Sequence, residues 1–282
     1  MIRVKNLYKE FDGRDVLKDI SIDYKPGECS LIIGASGSGK TVLLKSLVGL
    51  HTPDKGEIWY GDKLFTQMKD KERKEIRKEM GMLFQGSALF DFATVEENIM
   101  FPMDFFTDWT FEQKLDRANF CLKRVNLENA NKKYPNELSG GMQKRVGIAR
   151  AIALNPKYLF CDEPNSGLDP TTSIVIDRLI QEITQEYNIT TVINTHDMNS
   201  VMEIGDKVGF IYKGNKLWEG SNKEILHSDC PELNDFVFAS QMAKQLKALM
   251  KEGCFLPDRN ISCPNSGHVL HMLLCPCSFI QL

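Results

Sequence analysis

The sequence lacks a hydrophobic run of membrane-spanning length. No stretch approaches the roughly 20 apolar residues that a bilayer helix needs, and mean hydropathy is −0.28. The first residues, Met1-Ile2-Arg3-Val4-Lys5-Asn6, hold no apolar segment of the signal-peptide kind, so no secretory signal is expected. A membrane role would therefore need a partner to hold the chain there. An excess of one charge is also missing. Thirty-five Lys and Arg face 38 Asp and Glu, a net charge of −3, which gives no reason to expect nucleic acid as a partner. Internal repeats and heptads are absent, which removes solenoids and coiled coils. Cysteines are sparse and unpaired in spacing for most of the chain. Cys29, Cys121, Cys161 and Cys230 stand singly and read as reduced, mostly buried thiols.

What is present is a globular balance, 42% hydrophobic and 26% charged, which excludes a mostly disordered chain. A length of 282 residues suits one sizeable core with a sub-lobe. Alternating apolar segments at 2–7, 16–24 and 29–33 predict strands, the last buried, and residues 40–50 predict an apolar helix. Gly61-Asp62 between 57–59 and 63–64 signals a hairpin. Residues 68–80, dense in charges of both signs, predict a solvated helix. Residues 86–155 carry mainly helical patterns and read as a helical sub-lobe inserted into an α/β core. The core resumes with a strand at 157–161, a helix at 171–186, a strand at 190–194, and a hairpin of 208–212 with 216–219. Strands alternating with helices predict a mainly parallel sheet.

Three segments carry chemistry. Gly34-Ala35-Ser36-Gly37-Ser38-Gly39-Lys40-Thr41 fits G-x-x-x-x-G-K-[ST] between an apolar strand and an apolar helix. Its glycines allow close backbone approach to a phosphate, and the helix N-terminus supplies N–H donors and partial positive charge. Lys40 would reach the β- and γ-phosphates and the Thr41 hydroxyl would ligate Mg²⁺. The apolar strand Tyr158-Leu159-Phe160-Cys161 ends in Asp162, suited to hold Mg²⁺ through water, and Glu163, suited to act as general base. Leu138-Ser139-Gly140-Gly141-Met142-Gln143 opens another helix. It is either an ordinary helix cap or a second phosphate-binding N-terminus serving another copy of the chain.

Together these motifs resemble the ATPase subunit of ABC transporters. The resemblance covers residues 1 to about 225 and joins a Walker A loop, the Leu138–Gln143 signature and a Walker B strand ending in Asp162-Glu163-Pro164. It implies a P-loop NTPase (RecA-like) α/β core, an N-terminal antiparallel β subdomain and an inserted α-helical subdomain at about 86–155. It also implies ATP and Mg²⁺ as cofactors. By this resemblance Phe11 stacks on adenine, and Gly34, Ala35, Ser36, Gly37, Ser38, Gly39, Lys40, Thr41 and Val42 surround the phosphates. Gln85 senses Mg²⁺ and the membrane partner, so Thr41, Gln85 and Asp162 form the metal set. Glu163, His196, Lys40 and Gln85 carry catalysis. Ser139, Gly140, Gly141 and the D-loop residue Asp169 act in trans, from a second copy in a head-to-tail homodimer.

The run Gly81-Met82-Leu83-Phe84-Gln85-Gly86-Ser87-Ala88-Leu89-Phe90, continued by Thr94-Val95-Glu96-Glu97-Asn98-Ile99 and Pro102, is similar to the ATPase of the maintenance-of-lipid-asymmetry (Mla) systems of diderm bacteria. That implies phospholipid transport between inner and outer membrane, and transmembrane permease subunits as partners. It also implies a periplasmic-side lipid-binding subunit and a place on the cytoplasmic face of the inner membrane. One departure is Ala35, where relatives often carry Pro; no side-chain chemistry depends on it. Alternatives are the ATPase of a small-solute importer and a regulatory ABC ATPase of the division-site type. Phe90, Phe92, Phe101, Phe105 and Phe106 could form an apolar groove for a partner's helix, although most of these rings are expected to pack the sub-lobe. Residues 226–252 read as a helical extension with Leu233, Phe236, Val237, Ala239 and Met242 on one side. Residues 253–282 hold only Asp258 and Arg259 as charges and read as an atypical tail without ordered structure. Its Cys254, Cys263, His268, His271, Cys275 and Cys277 match no zinc spacing well.

Overall fold

The computed structural model describes residues 1–239, of which Met1–Val237 form one compact unit. The chain begins with β1 (Ile2–Phe11) and β2 (Arg14–Tyr24), joined by a tight turn at Asp12 and Gly13. After β3 (Cys29–Ile33) and α1 (Lys40–Leu47), the hairpin of β4 (Lys55–Tyr60) and β5 (Lys63–Leu64) returns to β1. These strands make a four-stranded antiparallel sheet in the order β2-β1-β4-β5. β1 runs four residues beyond the predicted segment, with register shifts where Asn6 takes a left-handed φ of 47°.

α2 (Asp70–Lys78) is the charged helix, and only Ile76 on it is buried. β6 (Met80–Leu83) follows at once and leads to the sub-lobe of α3 (Val95–Phe106), α4 (Phe111–Arg124) and α5 (Gly140–Ala151). α3 and α4 each start on a threonine, Thr94 and Thr110, whose hydroxyl accepts from the backbone N–H three residues on. The α/β core then continues through β7 (Tyr158–Asp162), α6 (Pro170–Glu186), β8 (Thr190–Asn194), α7 (Met198–Ile204), β9 (Lys207–Tyr212) and β10 (Asn215–Gly220). Two short helices close the described chain, α8 (Asn222–Ile225) and α9 (Pro231–Val237). Of the residues expected on one side of the extension, Leu233 is buried, Phe236 and Val237 are half-buried, and Ala239, beyond the end of α9, is exposed; Met242 and the cysteine-rich tail lie outside the described residues.

The second sheet is six-stranded, in the order β10-β9-β3-β8-β7-β6. Its members run parallel except β10, which pairs antiparallel with β9. Side chains alternate between its two faces, as strand geometry requires. Leu31, Leu159, Cys161 and Ile193 pack with the helices of the sub-lobe and with α6. Ile32, Tyr158, Phe160 and Val192 pack with α1 and the antiparallel sheet. Leu43, Leu44 and Leu47 of α1 are buried within that second core, which pins the helix that the phosphate loop opens into. Gly81 makes the contact of β6 with the end of α5 possible, because a Cβ there would lie 2.2 Å from the Ala151 carbonyl oxygen. Cys29, Cys121 and Cys161 are buried free thiols, and Cys230 is half-buried.

Candidate active site

β3 delivers the chain into residues 34–39, and α1 leaves that loop at Lys40. Gly34 (φ 148°), Gly37 (φ 77°) and Gly39 (φ 110°) hold backbone conformations that L side chains rarely adopt. Two of them also leave no room for a side chain. A Cβ on Gly34 would lie 2.2 Å from the Ile211 carbonyl oxygen, and one on Gly39 2.8 Å from that of Val16. Lys40 is buried, and its Nζ donates to the carbonyl oxygens of Gly34 (2.8 Å) and Ala35 (3.2 Å). Burial pushes the pKa of this ammonium down, while Glu163 and Asp162 oppose the shift. Loop residues 34–39 with Lys40, Thr41 and Val42 line a cavity of about 610 Å³ together with Gln85, Glu163 and His196. The buried Ser38 Oγ in this loop has no hydrogen-bond partner. Such a concave run of amides with a buried ammonium suits a polyphosphate.

Behind the cavity, Asn194 at the end of β8 links the end of β7 to the start of α1. Its Nδ2 donates to Asp162 Oδ1 at 2.6 Å and to Thr41 Oγ1 at 3.1 Å. Asp162 is 6% exposed; desolvation raises its pKa, and the Asn194 hydrogen bond works against that rise. A buried carboxylate and a hydroxyl drawn together in this way are hard oxygen donors, the set that Mg²⁺ takes. Glu163 follows with a left-handed φ of 50°, and its N–H donates to the Asn194 carbonyl at 2.8 Å. This strained turn aims the carboxylate into the cavity, where Glu163 Oε2 lies 2.7 Å from His196 Nδ1. Lys144 of α5, itself buried, donates to the Glu163 carbonyl oxygen at 3.4 Å.

The family model described as "ABC transporter" matches residues 17–166, the span from β2 through the Glu163 turn. The chain belongs to the ABC transporter family. The mycobacterial protein named probable ribonucleotide transport ATP-binding protein mkl (Mycobacterium leprae) is 37% identical over 236 residues, covering 84% of this chain and 68% of its own. The methionine import ATP-binding protein MetN of Carboxydothermus hydrogenoformans is 38% identical over 268 residues, covering 93% and 79%. Among solved structures, the dimeric post-hydrolysis state of the ATP-binding cassette MJ0796 bound to ADP and Pi superposes with a TM-score of 0.72. It is 33% identical and covers 79% of this chain and 99% of that one. Clostridium perfringens cbiO1 superposes with a TM-score of 0.75 at 30% identity, covering 89% and 98%. The fold is thus that of the ABC ATPase cassette, and the chain is an ATP-binding, ATP-hydrolysing cassette.

The cassette leaves several expected site residues away from the phosphate cavity. Ser139, Gly140, Gly141 and Asp169 do not line it. Ser139 is the N-cap of α5, its hydroxyl accepting from Met142 N–H at 3.3 Å, so the ordinary-cap reading holds within one chain. Asp169 likewise caps α6 through Thr172 N–H at 3.0 Å, and the Thr172 contacts hold its carboxyl below the usual range. Phe11, 38% exposed at the end of β1, meets His51 edge-on at 5.2 Å and Lys9 Nζ at 5.0 Å, outside the phosphate cavity. Gln85 is exposed and lines the cavity as expected.

The phenylalanines require a correction. None of the five is buried: Phe92 is 84%, Phe105 63% and Phe101 40% exposed, and Phe90 and Phe106 are half-buried. Phe90 contacts both Phe92 and Phe101, and Phe101 contacts Phe105, so the rings form one surface ladder. Phe101, Phe105 and Phe106 end up outside because the buried face of α3 is filled by Val95, Ile99, Met100 and Met103. Next to the ladder, Phe84, Phe90, Phe101, Pro102, Phe106 and Leu154 line an apolar groove of about 510 Å³. Asn194 and Lys144 were not singled out by sequence. The available signal was an amide side chain ending a buried strand, and a lysine on the buried side of α5.

Proposed function

We propose that this chain is the nucleotide-binding subunit of an ABC transporter that moves phospholipid between two bacterial membranes. The observation that carries the lipid reading is the apolar groove to which Phe84, Phe90, Phe101 and Pro102 contribute, residues of the 81–102 run that resembles the Mla ATPases. A groove lined by aromatic rings and proline suits an amphipathic helix from a permease subunit. Among the described residues no helix is long and apolar enough to cross a membrane, in keeping with a cassette held at the cytoplasmic face by that partner. A periplasmic-side lipid-binding subunit belongs to the same reading, and nucleic acid does not. The domain limits proposed are a cassette over 1–225, a helical extension over 226–252 and a tail beyond.

In this reading two copies sandwich ATP head to tail. Lys40 and the loop amides hold the β- and γ-phosphates, Phe11 stacks on adenine, and Ser139, Gly140, Gly141 and Asp169 reach the nucleotide of the other copy. Thr41 and Asp162, with Gln85, would hold Mg²⁺, which when bound neutralises phosphate charge. Glu163 accepts the proton of the attacking water, and His196, 2.7 Å from its carboxylate, orients it and reaches the γ-phosphate. Glu163→Gln in the purified complex tests the base: turnover near the wild-type rate would remove Glu163 from that role.

A small-solute importer is the second reading, favoured by the relatives named for methionine import. Purification of the intact chain with its partners from native membranes separates the two. A lipid-carrying partner and ATPase stimulation by phospholipid vesicles are expected. A soluble amino-acid-binding protein in their place would sink the lipid reading.

A further inference from the structure

Asn194 ends β8, the strand that lies between β3 and β7 in the six-stranded sheet. Those two neighbours carry the chain into the phosphate loop and to Asp162. The register sets Asn194 opposite Ile32 of β3 on one side and opposite Asp162 of β7 on the other. The backbone here is fastened in both directions. Glu163 N–H donates to the Asn194 carbonyl at 2.8 Å, and Thr195 N–H donates to the Ile32 carbonyl at 3.1 Å. From this fixed position the Asn194 side chain reaches both motifs, its Nδ2 donating to Asp162 Oδ1 at 2.6 Å and to Thr41 Oγ1 at 3.1 Å. An amide nitrogen carries two N–H groups, one for each oxygen; a hydroxyl has one and a carboxylate none. Asn194 is 0% exposed, and its own Oδ1 is buried without a partner. An orphaned buried acceptor is destabilising, so the amide is a poor choice for packing alone. Its two donors account for its presence at a position closed to water.

We infer that Asn194 is a positioning residue of the divalent-cation site: its two N–H groups hold the Thr41 hydroxyl and the Asp162 carboxylate together as a ready pair of Mg²⁺ ligands. Each oxygen accepts one bond from Asn194 and keeps lone pairs for a cation. Without the amide, Thr41 and Asp162 each lose this donor, and the cation must order both as it binds. Groups that orient metal ligands in this way typically change metal affinity by about 10- to 100-fold when removed. The phosphate loop keeps its own brace, Lys40 Nζ to the Gly34 and Ala35 carbonyls, which does not involve Asn194. Nucleotide binding without the metal should therefore be spared. The inference rests on the reading of Thr41 and Asp162 as Mg²⁺ ligands.

The test is calorimetric titration of the full chain with the non-hydrolysable ATP analogue AMP-PNP, once in EDTA and once in excess Mg²⁺. Wild type, Asn194→Ala, Asn194→Val and Asp162→Asn are compared. In EDTA, Asn194→Ala is expected to bind the analogue within about twofold of wild type. The gain in affinity that Mg²⁺ gives the wild type should shrink by about 10-fold or more in this variant. Asn194→Val fills the buried position with a side chain suited to a strand but has no donor, so the same loss is expected. It stands in should Asn194→Ala not fold. Equal losses in EDTA and in Mg²⁺ would leave Asn194 a packing role only and overturn the inference. A Mg²⁺ gain of wild-type size in either variant overturns it too. If the wild type gains nothing from Mg²⁺, or Asp162→Asn keeps the whole gain, the reading of the metal ligands fails and this inference with it. An Asp162→Asn protein that loses the gain, beside an Asn194→Ala protein that keeps it, brings down this inference alone.

Discussion

Asp177 of α6 is buried, and Asp177→Asn should stabilise the protein by an amount that depends on pH. Burial is the main cause that raises the Asp177 carboxyl from its ordinary 3.8 to about 6, with Asp197 and Glu203 adding to the rise and the bonds from Ser200 and Asn165 opposing it. The unfolded chain releases this proton near 3.8 and the folded chain near 6, so stability falls as pH climbs through that window and stays reduced above it. The gap corresponds to about 3 kcal/mol at pH 8 and about half of that at pH 5. An amide of the same shape escapes this cost. Urea denaturation of the full chain and Asp177→Asn at both pH values, without nucleotide, measures the difference directly. At pH 8 the variant should be more stable by up to about 3 kcal/mol, or about 6–12 °C in Tm. An advantage equal at the two pH values, or a less stable variant at pH 8, would refute the reasoning.

Three further outcomes follow from the geometry. Lys40→Ala removes the buried ammonium facing the phosphate cavity and should weaken ATP binding about 10- to 100-fold, measurable by calorimetry. Arg150 donates to the carbonyl oxygens of Ser87 (2.6 Å) and Ala88 (2.8 Å), so Arg150→Ala should cost about 2 kcal/mol and raise amide exchange at 86–88. Lysine there cannot make the same forked contact and should rescue only part of that. Burial pushes the Cys29 thiol up to about 12 and the Cys121 thiol to about 11, and raises Cys161 further. Maleimide labelling of the native protein at pH 8, mapped by mass spectrometry, should therefore reach Cys230 well before these three.

Most of the core was legible because its signals are local. The apolar strand, glycine loop and apolar helix that meet at residues 29–47 need only neighbouring residues, as do β7, β8 and the hairpin around Gly214. β6 was missed because four residues carrying a glycine do not look like a strand until β7 supplies their hydrogen bonds. The short helices α7 and α8 were missed as well, since seven and four residues hold too little periodicity to register. The phosphate loop, Asp162 and Glu163 were readable from motif spacing, whereas His196 was expected only through the family resemblance. Asn194 and Lys144 contact partners distant in sequence, Thr41, Asp162 and Glu163, and nothing local distinguishes them from ordinary polar residues. The phenylalanine ladder was misjudged for a related reason: hydrophobicity predicts burial, but α3 already fills the core with its other face.

Apart from Asn and Asp, which tolerate the left-handed region, and Lys213, the non-glycine residues with positive φ among the described residues are Ser87, Ala88 and Glu163, all in segments that carry cavity residues. Gly86, Ser87 and Ala88 take left-handed φ values of 76°, 65° and 46° in succession, directly after Gln85. Only the glycine does so without steric cost. Arg150 of α5 clamps the carbonyls of the other two, so the strain at the cavity is balanced by a contact from the sub-lobe. Glu163, with φ 50°, is held in the same manner by Asn194 and Lys144, the latter again from α5. A single helix therefore steadies both strained turns, and its N-terminus carries Ser139, Gly140 and Gly141. Any displacement of α5 relative to the sheet loosens the Gln85 and Glu163 segments together. That linkage ties the sub-lobe, with its exposed aromatic ladder, to two segments that line the cavity.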